Sequence, residues 1–182
     1  MIKNSGAVIW LTGLSGAGKT TIAQKLKELI ADKRANVEIL DGDVIRTSLS
    51  KGLGFSKKDR NINVERVGYV SNLLSRNGVI VIVAMVSPYR LARDELKLMT
   101  NNFIEVYVNA PLEICESRDV KGLYIAARKG EIEKFTGIDD PYEPPLNPDI
   151  TCFTDQESLE ESVFKIIESL KDKKILDNTG AI

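Results

Sequence analysis

The sequence predicts a three-layer α/β fold built on a five-stranded parallel sheet. Strand-like and helix-like hydrophobic periods alternate along most of the chain. The run Val79 to Val83 is continuously apolar, as a central parallel strand covered on both faces must be. A glycine-rich stretch, Gly13 to Thr20, joins the apolar, β-prone run Ala7 to Thr12 to a segment with Ile22, Leu26, Leu29 and Ile30 at helical spacing.

The remaining elements follow in order. Val37 to Leu40 reads as a second strand ending at Asp41-Gly42-Asp43, with a short helix through Val44 to Arg46. Lys51 to Phe55 is a loop punctuated by glycines. Ser56, with Asp59 three residues on, is an N-cap for a helix to about Arg76 whose core stripe is Val67, Val70, Leu73 and Leu74; Asn77-Gly78 ends it. After the central strand, Ser87-Pro88 opens a helix to about Met99. Phe103 to Val108 is the fourth strand, and Pro111 opens a helix through Leu112 to Arg118. Residues 119–148 are rich in charge, glycine and proline and read as a long excursion with one short helix. Ile150 to Phe153 is the fifth strand. Thr154 and Glu157 form a capping box for a last helix carrying Leu159, Val163, Ile166, Ile167 and Leu170. One domain is expected over 1–174, with a loose tail at 175–182.

Composition removes several functional classes. With 43% hydrophobic and 28% charged residues, the 182-residue chain has the makeup of a soluble globular domain. A formal net charge of −1 argues against a broad nucleic-acid-binding face. No apolar run approaches a membrane span, and the first residues lack a signal-peptide pattern. Cys115 and Cys152 lie far apart in apolar contexts, which suits buried reduced thiols and a cytoplasmic location. Histidine is absent, so acid–base work falls to carboxylates, lysines, tyrosines or water.

Gly13-Leu14-Ser15-Gly16-Ala17-Gly18-Lys19-Thr20 fits G-x-x-x-x-G-K-[ST] in its strand–turn–helix context. The glycines let backbone N–H groups approach phosphate oxygens, and the helix start adds its positive end. Lys19 supplies a point charge for the β- and γ-phosphates, and Thr20 a hydroxyl for Mg²⁺. The expectation is a three-layer P-loop NTPase fold that binds a nucleoside triphosphate, with a lid excursion at about 119–148 on the rim where the parallel strands end. Asp41 and Asp43 end a strand on that rim; one is assigned to the metal side (Asp41) and one to an acceptor hydroxyl (Asp43), the two roles being interchangeable on sequence. Arg118 and Arg128 on the lid would cover the phosphates and adenine of ATP. Arg46, Arg60, Arg66, Arg90 and Arg93 together suggest a second, anionic substrate, with Arg60 and Asn63 on one side of a helix. Phe55 is either a loop anchor or a ring on which a base stacks. Ser87 is read first as a helix cap and second as a rim hydroxyl. A GTP switch is disfavoured: Asp119-Val120-Lys121-Gly122 matches D-x-x-G, but no N-K-x-D occurs. A kinase of another small acceptor, a nucleoside monophosphate or a sugar acid, would keep the P-loop and the lid.

The P-loop, Asp41-Gly42-Asp43 with Arg46, and Gly52 to Arg60 with Asn63 and Arg66 resemble the adenylyl-sulfate kinase family. So do Ser87-Pro88-Tyr89-Arg90, Arg118 to Tyr124, and Phe135 to Tyr142, all in family order. Met85-Val86 and Val44-Ile45 depart from the common pattern. The resemblance implies ATP-dependent phosphorylation of the 3′-hydroxyl of adenosine 5′-phosphosulfate (APS), in sulfate activation. It implies that Phe55 and Phe135 sandwich the substrate adenine and that Arg46, Arg60 and Asn63 hold its phosphosulfate and ribose side. Val86, Ser87, Lys121 and Leu123 would complete that substrate site, and Thr21 the ATP site. It further implies a stand-alone homodimeric kinase and carries a phosphoserine assignment for the Ser87 position, against which direct transfer is the general rule of P-loop kinases.

Overall fold

The computed structural model describes residues 6–32 and 36–176. Five strands, β1 (Ala7–Thr12), β2 (Val37–Asp41), β3 (Ile80–Ala84), β4 (Phe103–Asn109) and β5 (Ile150–Phe153), form one sheet in the order β2-β3-β1-β4-β5. Every pairing is parallel, so all strands end on one rim. Helices α1 (Lys19–Ala31), α2 (Gly42–Thr47), α3 (Lys57–Arg76), α4 (Arg90–Met99), α5 (Leu112–Arg118), α6 (Leu123–Arg128) and α7 (Leu159–Asp172) lie between them in sequence.

The pleat sorts the core into two layers. Ala7, Ile9 and Leu11 of β1 point to one face, where Ile22, Leu26 and Ile30 of α1 meet Val163, Ile166 and Leu170 of α7. Val8 and Trp10 point to the other, where Val64 and Val67 of α3 meet Ala92 and Leu96 of α4. β1 and β3 are buried along their whole length, which is why their sequences are uninterruptedly apolar.

The structure corrects several boundaries. On α3, Val67 is buried, but Leu73 is exposed; the buried line runs through Asn63, Val64, Val67, Gly68, Ser71 and Ser75. Leu96 of α4 seats on Gly68, and Leu74 of the expected stripe is partly buried against the same core. The capping box of α7 is Ser158 with Glu161, not Thr154 with Glu157. Thr154 is diverted by a competing bond, its hydroxyl donating to the Ala17 carbonyl at 2.8 Å. Glu157 accepts instead from the hydroxyl of Ser162. The expected loose tail starts too early: Ile175 and Leu176 are buried in the α1–α7 layer, and 177–182 lie outside the described residues.

Gly68 generates a stability prediction. A Cβ there would stand 2.1 Å from Leu96 Cδ2 and 3.2 Å from its Cγ, and Leu96 is itself buried. Gly68→Ala should therefore lose about 1–3 kcal/mol through overpacking, despite alanine's better helix propensity. Chemical denaturation should show a lower midpoint at unchanged slope.

Candidate functional site

The rim carries a cleft of about 820 Å³, walled by the P-loop, the ends of β2 and β3, the start of α3, and the excursion between α5 and β5. At Gly13 (φ 151) a Cβ would meet the Val108 carbonyl oxygen at 2.2 Å, and at Gly16 (φ 75) the Cys115 carbonyl oxygen at 3.0 Å. The turn can therefore sit tightly on β4 and α5 only as glycine. Ser15, Gly16, Gly18, Lys19, Thr20 and Thr21 line the cleft, while Ala17 is buried beneath it. No side chain caps the first turn of α1, which leaves its N–H groups for a ligand. Lys19 curls back and donates to the carbonyls of Gly13 (3.0 Å) and Leu14 (2.7 Å). Burial pulls its ammonium down from 10.5 to about 8.

The two aspartates, equivalent on sequence, have different partners. Asp41 accepts from the Thr20 hydroxyl at 2.8 Å and from the Asp43 N–H at 2.9 Å, so one carboxylate caps α2 and touches the P-loop threonine. Asp43 forms an ion pair with Lys121 of the excursion. Asp119 is occupied locally: its carboxylate accepts from the N–H groups of Tyr124 and Ile125 at the start of α6, so the D-x-x-G match is a capping turn.

At the far end of the cleft the Arg46 guanidinium lies 4.4 Å from the Phe55 ring centroid, and Arg60 lies 5.4 Å from it. Arg60 is buried. It donates to the Phe55 carbonyl (2.9 Å) and to the Lys134 carbonyl (2.6 Å), and pairs with Asp140 at 3.6 Å. Burial, then mutual repulsion, holds the guanidinium of Arg46 below its ordinary value, and burial does the same for Arg60. Asn63 is 3% exposed, and its Oδ1 has no hydrogen-bond partner among the described residues. Phe135 lines the opposite wall, its ring edge-on to Tyr124 with centroids 5.0 Å apart. Val86, Ser87, Lys121 and Leu123 also line the cleft.

Other sequence expectations are redirected. Arg66 donates to the Leu49 carbonyl, Arg90 to that of Pro144, and Arg93 is fully buried. None of the three lines the cleft, so the anion-facing set reduces to Arg46 and Arg60. Arg118 lines the cleft and bridges the Gly16 carbonyl to Thr154. Arg128 does not; Glu116 engages it at 2.6 Å. Ser87 is not a helix cap. α4 starts at Arg90, whose N–H is capped by the Glu143 carboxylate at 2.8 Å, because Ser87 is held in the left-handed region (φ 39). Its hydroxyl oxygen accepts from the Trp10 indole N–H at 3.0 Å, and its carbonyl from Arg93. Trp10 and Asp139 carry no signal in the sequence, since Trp10 works through Ser87, 77 residues away, and Asp139 through the backbone N–H groups of Lys134 and Phe135.

A glycine-rich loop opening a helix, a threonine–carboxylate pair beside it, and a second pocket under a lid define a P-loop kinase with a small-molecule acceptor. Comparison narrows the class. The profile of the adenylylsulphate kinase family matches residues 5–153. The chain is 60% identical to an adenylyl-sulfate kinase of Rippkaea orientalis over the full length of both. It is 59% identical to a probable adenylyl-sulfate kinase of Synechocystis, over 97% of this chain and 99% of that one. Among solved structures, the Mycobacterium tuberculosis APS kinase in complex with AMPPNP and APS superposes with a TM-score of 0.88 at 39% identity, covering 92% of this chain and 98% of that one. The chain belongs to the adenylyl-sulfate kinase family.

The Ser87 contact is testable. Ser87→Ala leaves the buried Trp10 N–H without an acceptor and should cost about 1–3 kcal/mol. Trp10 is the single tryptophan, so its emission should shift in this variant, whereas loss of a helix cap would leave it unchanged.

Proposed function

We propose that this kinase transfers the γ-phosphoryl group of ATP to the 3′-hydroxyl of adenosine 5′-phosphosulfate, giving 3′-phosphoadenosine 5′-phosphosulfate and ADP. The observation that carries the reading is one cleft with two unlike ends. A phosphate cradle lies at one end, and an aromatic–guanidinium pocket of Phe55, Arg46, Arg60, Asn63 and Phe135 at the other. The similarity to a kinase solved with AMPPNP and APS supports it.

Lys19 leaves the Gly13 and Leu14 carbonyls to meet the β- and γ-phosphates, and Arg118, with Thr21 at the helix start, flanks the donor. The Thr20 hydroxyl and the Asp41 carboxylate stand 2.8 Å apart at the cradle. This pair of hard oxygens suits Mg²⁺, which takes one or two protein oxygens beside phosphate and water. Bound there, the ion would neutralise charge on the phosphates. Asp41 is thus assigned to the metal and Asp43 to the acceptor, since Asp43 has no bond to Thr20 and reaches the lid through Lys121. As the 3′-oxygen bonds to phosphorus and the bond to the ADP oxygen breaks, Asp43 takes the hydroxyl proton. Lys121 then moves from Asp43 to the acceptor. Ser87 acts as a positioner with Val86 and Leu123; its oxygen is committed to Trp10, which favours direct transfer. Closure of the excursion excludes water from the transfer. The reading includes a cytoplasmic location and self-association, expected as a homodimer; an APS kinase from Thiobacillus denitrificans described as hexameric is 30% identical with a TM-score of 0.72, over 94% of this chain but only 30% of that longer one. No helix among the described residues is long and apolar enough to cross a membrane.

Incubation with ATP, Mg²⁺ and APS should yield the 3′-phosphorylated product, with gluconate, shikimate and AMP as poor acceptors. Turnover of one of these in preference to APS would overturn the proposal. Phe55→Ala and Phe135→Ala should each weaken APS binding about ten- to a hundredfold, from roughly 1–3 kcal/mol of stacking, with ATP affinity measured alone nearly unchanged. Loss of ATP affinity instead would mean that the two nucleotide ends are exchanged.

Lys19 sets a pH dependence. Its free-state value of about 8 lies below the ordinary 10.5, and bound phosphate favours the ammonium and raises it. Nucleotide binding above pH 8 should therefore take up as much as one proton, and affinity should fall as pH rises from there. Calorimetry at pH 8.5 in buffers of different ionisation enthalpy measures the uptake, and Lys19→Met should abolish it.

A further inference from the structure

We propose that Tyr124 is a positioning residue that couples the donor end of the cleft to the acceptor end, an inference resting on the reading of Phe135 as the acceptor's base platform. Tyr124 lies in α6, on the excursion, and is 2% exposed. Its hydroxyl donates to the Ser15 carbonyl of the P-loop at 2.9 Å. Its ring meets Phe135 edge-on, at 80°. One side chain thus touches the phosphate cradle with its polar end and the acceptor platform with its apolar edge.

The surroundings make this contact stiff. Asp119 fixes the N-terminal turn of α6 by accepting from the Tyr124 and Ile125 N–H groups at 3.1 and 3.0 Å. Asp139 accepts from the N–H groups of Lys134 and Phe135, both at 2.6 Å, which pins the backbone carrying the platform. Gly137 packs on the P-loop independently: a Cβ there would stand 3.0 Å from Leu14 Cδ2. Burial raises the Tyr124 phenol, so it stays a protonated donor.

Nucleotide binding orders the P-loop backbone, including the Ser15 carbonyl. Through Tyr124 the same ordering reaches Phe135, so the second ligand meets a platform already held. The resulting coupling is reciprocal between the two ligands.

The test is a linkage cycle with AMPPNP and APS, which form a complex without turnover. In the unaltered enzyme AMPPNP should tighten APS binding by about fivefold or more. Tyr124→Phe keeps the ring and removes the hydroxyl. It should bind APS alone within about twofold of the unaltered enzyme, yet gain less than about twofold from AMPPNP, with the same loss seen in the reverse titration. Full coupling in Tyr124→Phe, or none in the unaltered enzyme, would overturn the proposal, as would loss of APS binding in the absence of nucleotide. Phe135→Leu separates the two readings. If it leaves APS affinity unchanged, the platform assignment fails; if it weakens APS while Tyr124→Phe keeps the coupling, the platform stands and Tyr124 is only a structural contact.

Discussion

The functional rim depends on the close approach of the Gly13 backbone to the Val108 carbonyl, where a Cβ would have only 2.2 Å. That contact seats the P-loop directly on β4, the neighbour of β1 in the sheet. From there the loop rises with α1 pointing its uncapped first turn into the cleft. Parallel strand order does the rest. β3 lies between β1 and β2, so the register that pairs Leu11 with Ala84 and Ala84 with Asp41 brings P-loop, central-strand corner and aspartate pair to one level. Thr20 and Asp41, 21 residues apart, come within hydrogen-bond distance because of that register.

The second constraint is a polar one, inside the α3–α4 side of the rim. Arg93 is fully buried, and each edge of its guanidinium has a partner: Glu105 of β4 at 2.8 Å, the Ser87 carbonyl, and the Glu143 carbonyl at 2.7 Å. A buried charge is tolerated only with such complete pairing. Here it ties the strained corner after β3 to the returning end of the lid. The Glu143 N–H donates to the Pro88 carbonyl at 2.8 Å, and its carboxylate caps α4, so the same junction is crossed several times. Both roots of the lid are therefore anchored: Asp119 and Tyr124 at one, Tyr142 and Glu143 at the other, with the Thr12 and Tyr142 hydroxyls 3.0 Å apart.

Arg60 shows how one residue joins two loops of the cleft. Arg60 stacks near Phe55 while its guanidinium holds the Lys134 carbonyl, one residue before Phe135. The loops that carry the two phenylalanines, 80 residues apart, are thereby linked by a single charged group. Arg46 adds a second positive charge over Phe55. Phe55 is 49% exposed, a cost in water that stacking with a base would remove.

The sequence alone determined the parallel sheet and the P-loop turn, because each rests on local signals. A short, unbroken run of β-branched residues ended by turn signals fits a doubly covered strand, and a G-x-x-x-x-G-K-T turn between strand and helix fits a phosphate loop. Tertiary structure decided what depends on contacts between distant segments. Two S/T-x-x-E patterns compete for the start of α7, and the second is used because Thr154 is drawn to Ala17 and Arg118. Ser87-Pro88 has the composition of a helix start, but the Trp10 indole and the Arg93 guanidinium hold Ser87 at positive φ. Five arginines looked alike as charges; burial and partners separated the two that line the cleft from the three that brace or leave it. Asp41 and Asp43 became distinguishable once β2 was placed beside β3, with Thr20 against one and Lys121 against the other. Periodicity reports which face of an element is covered, and only packing reports by what.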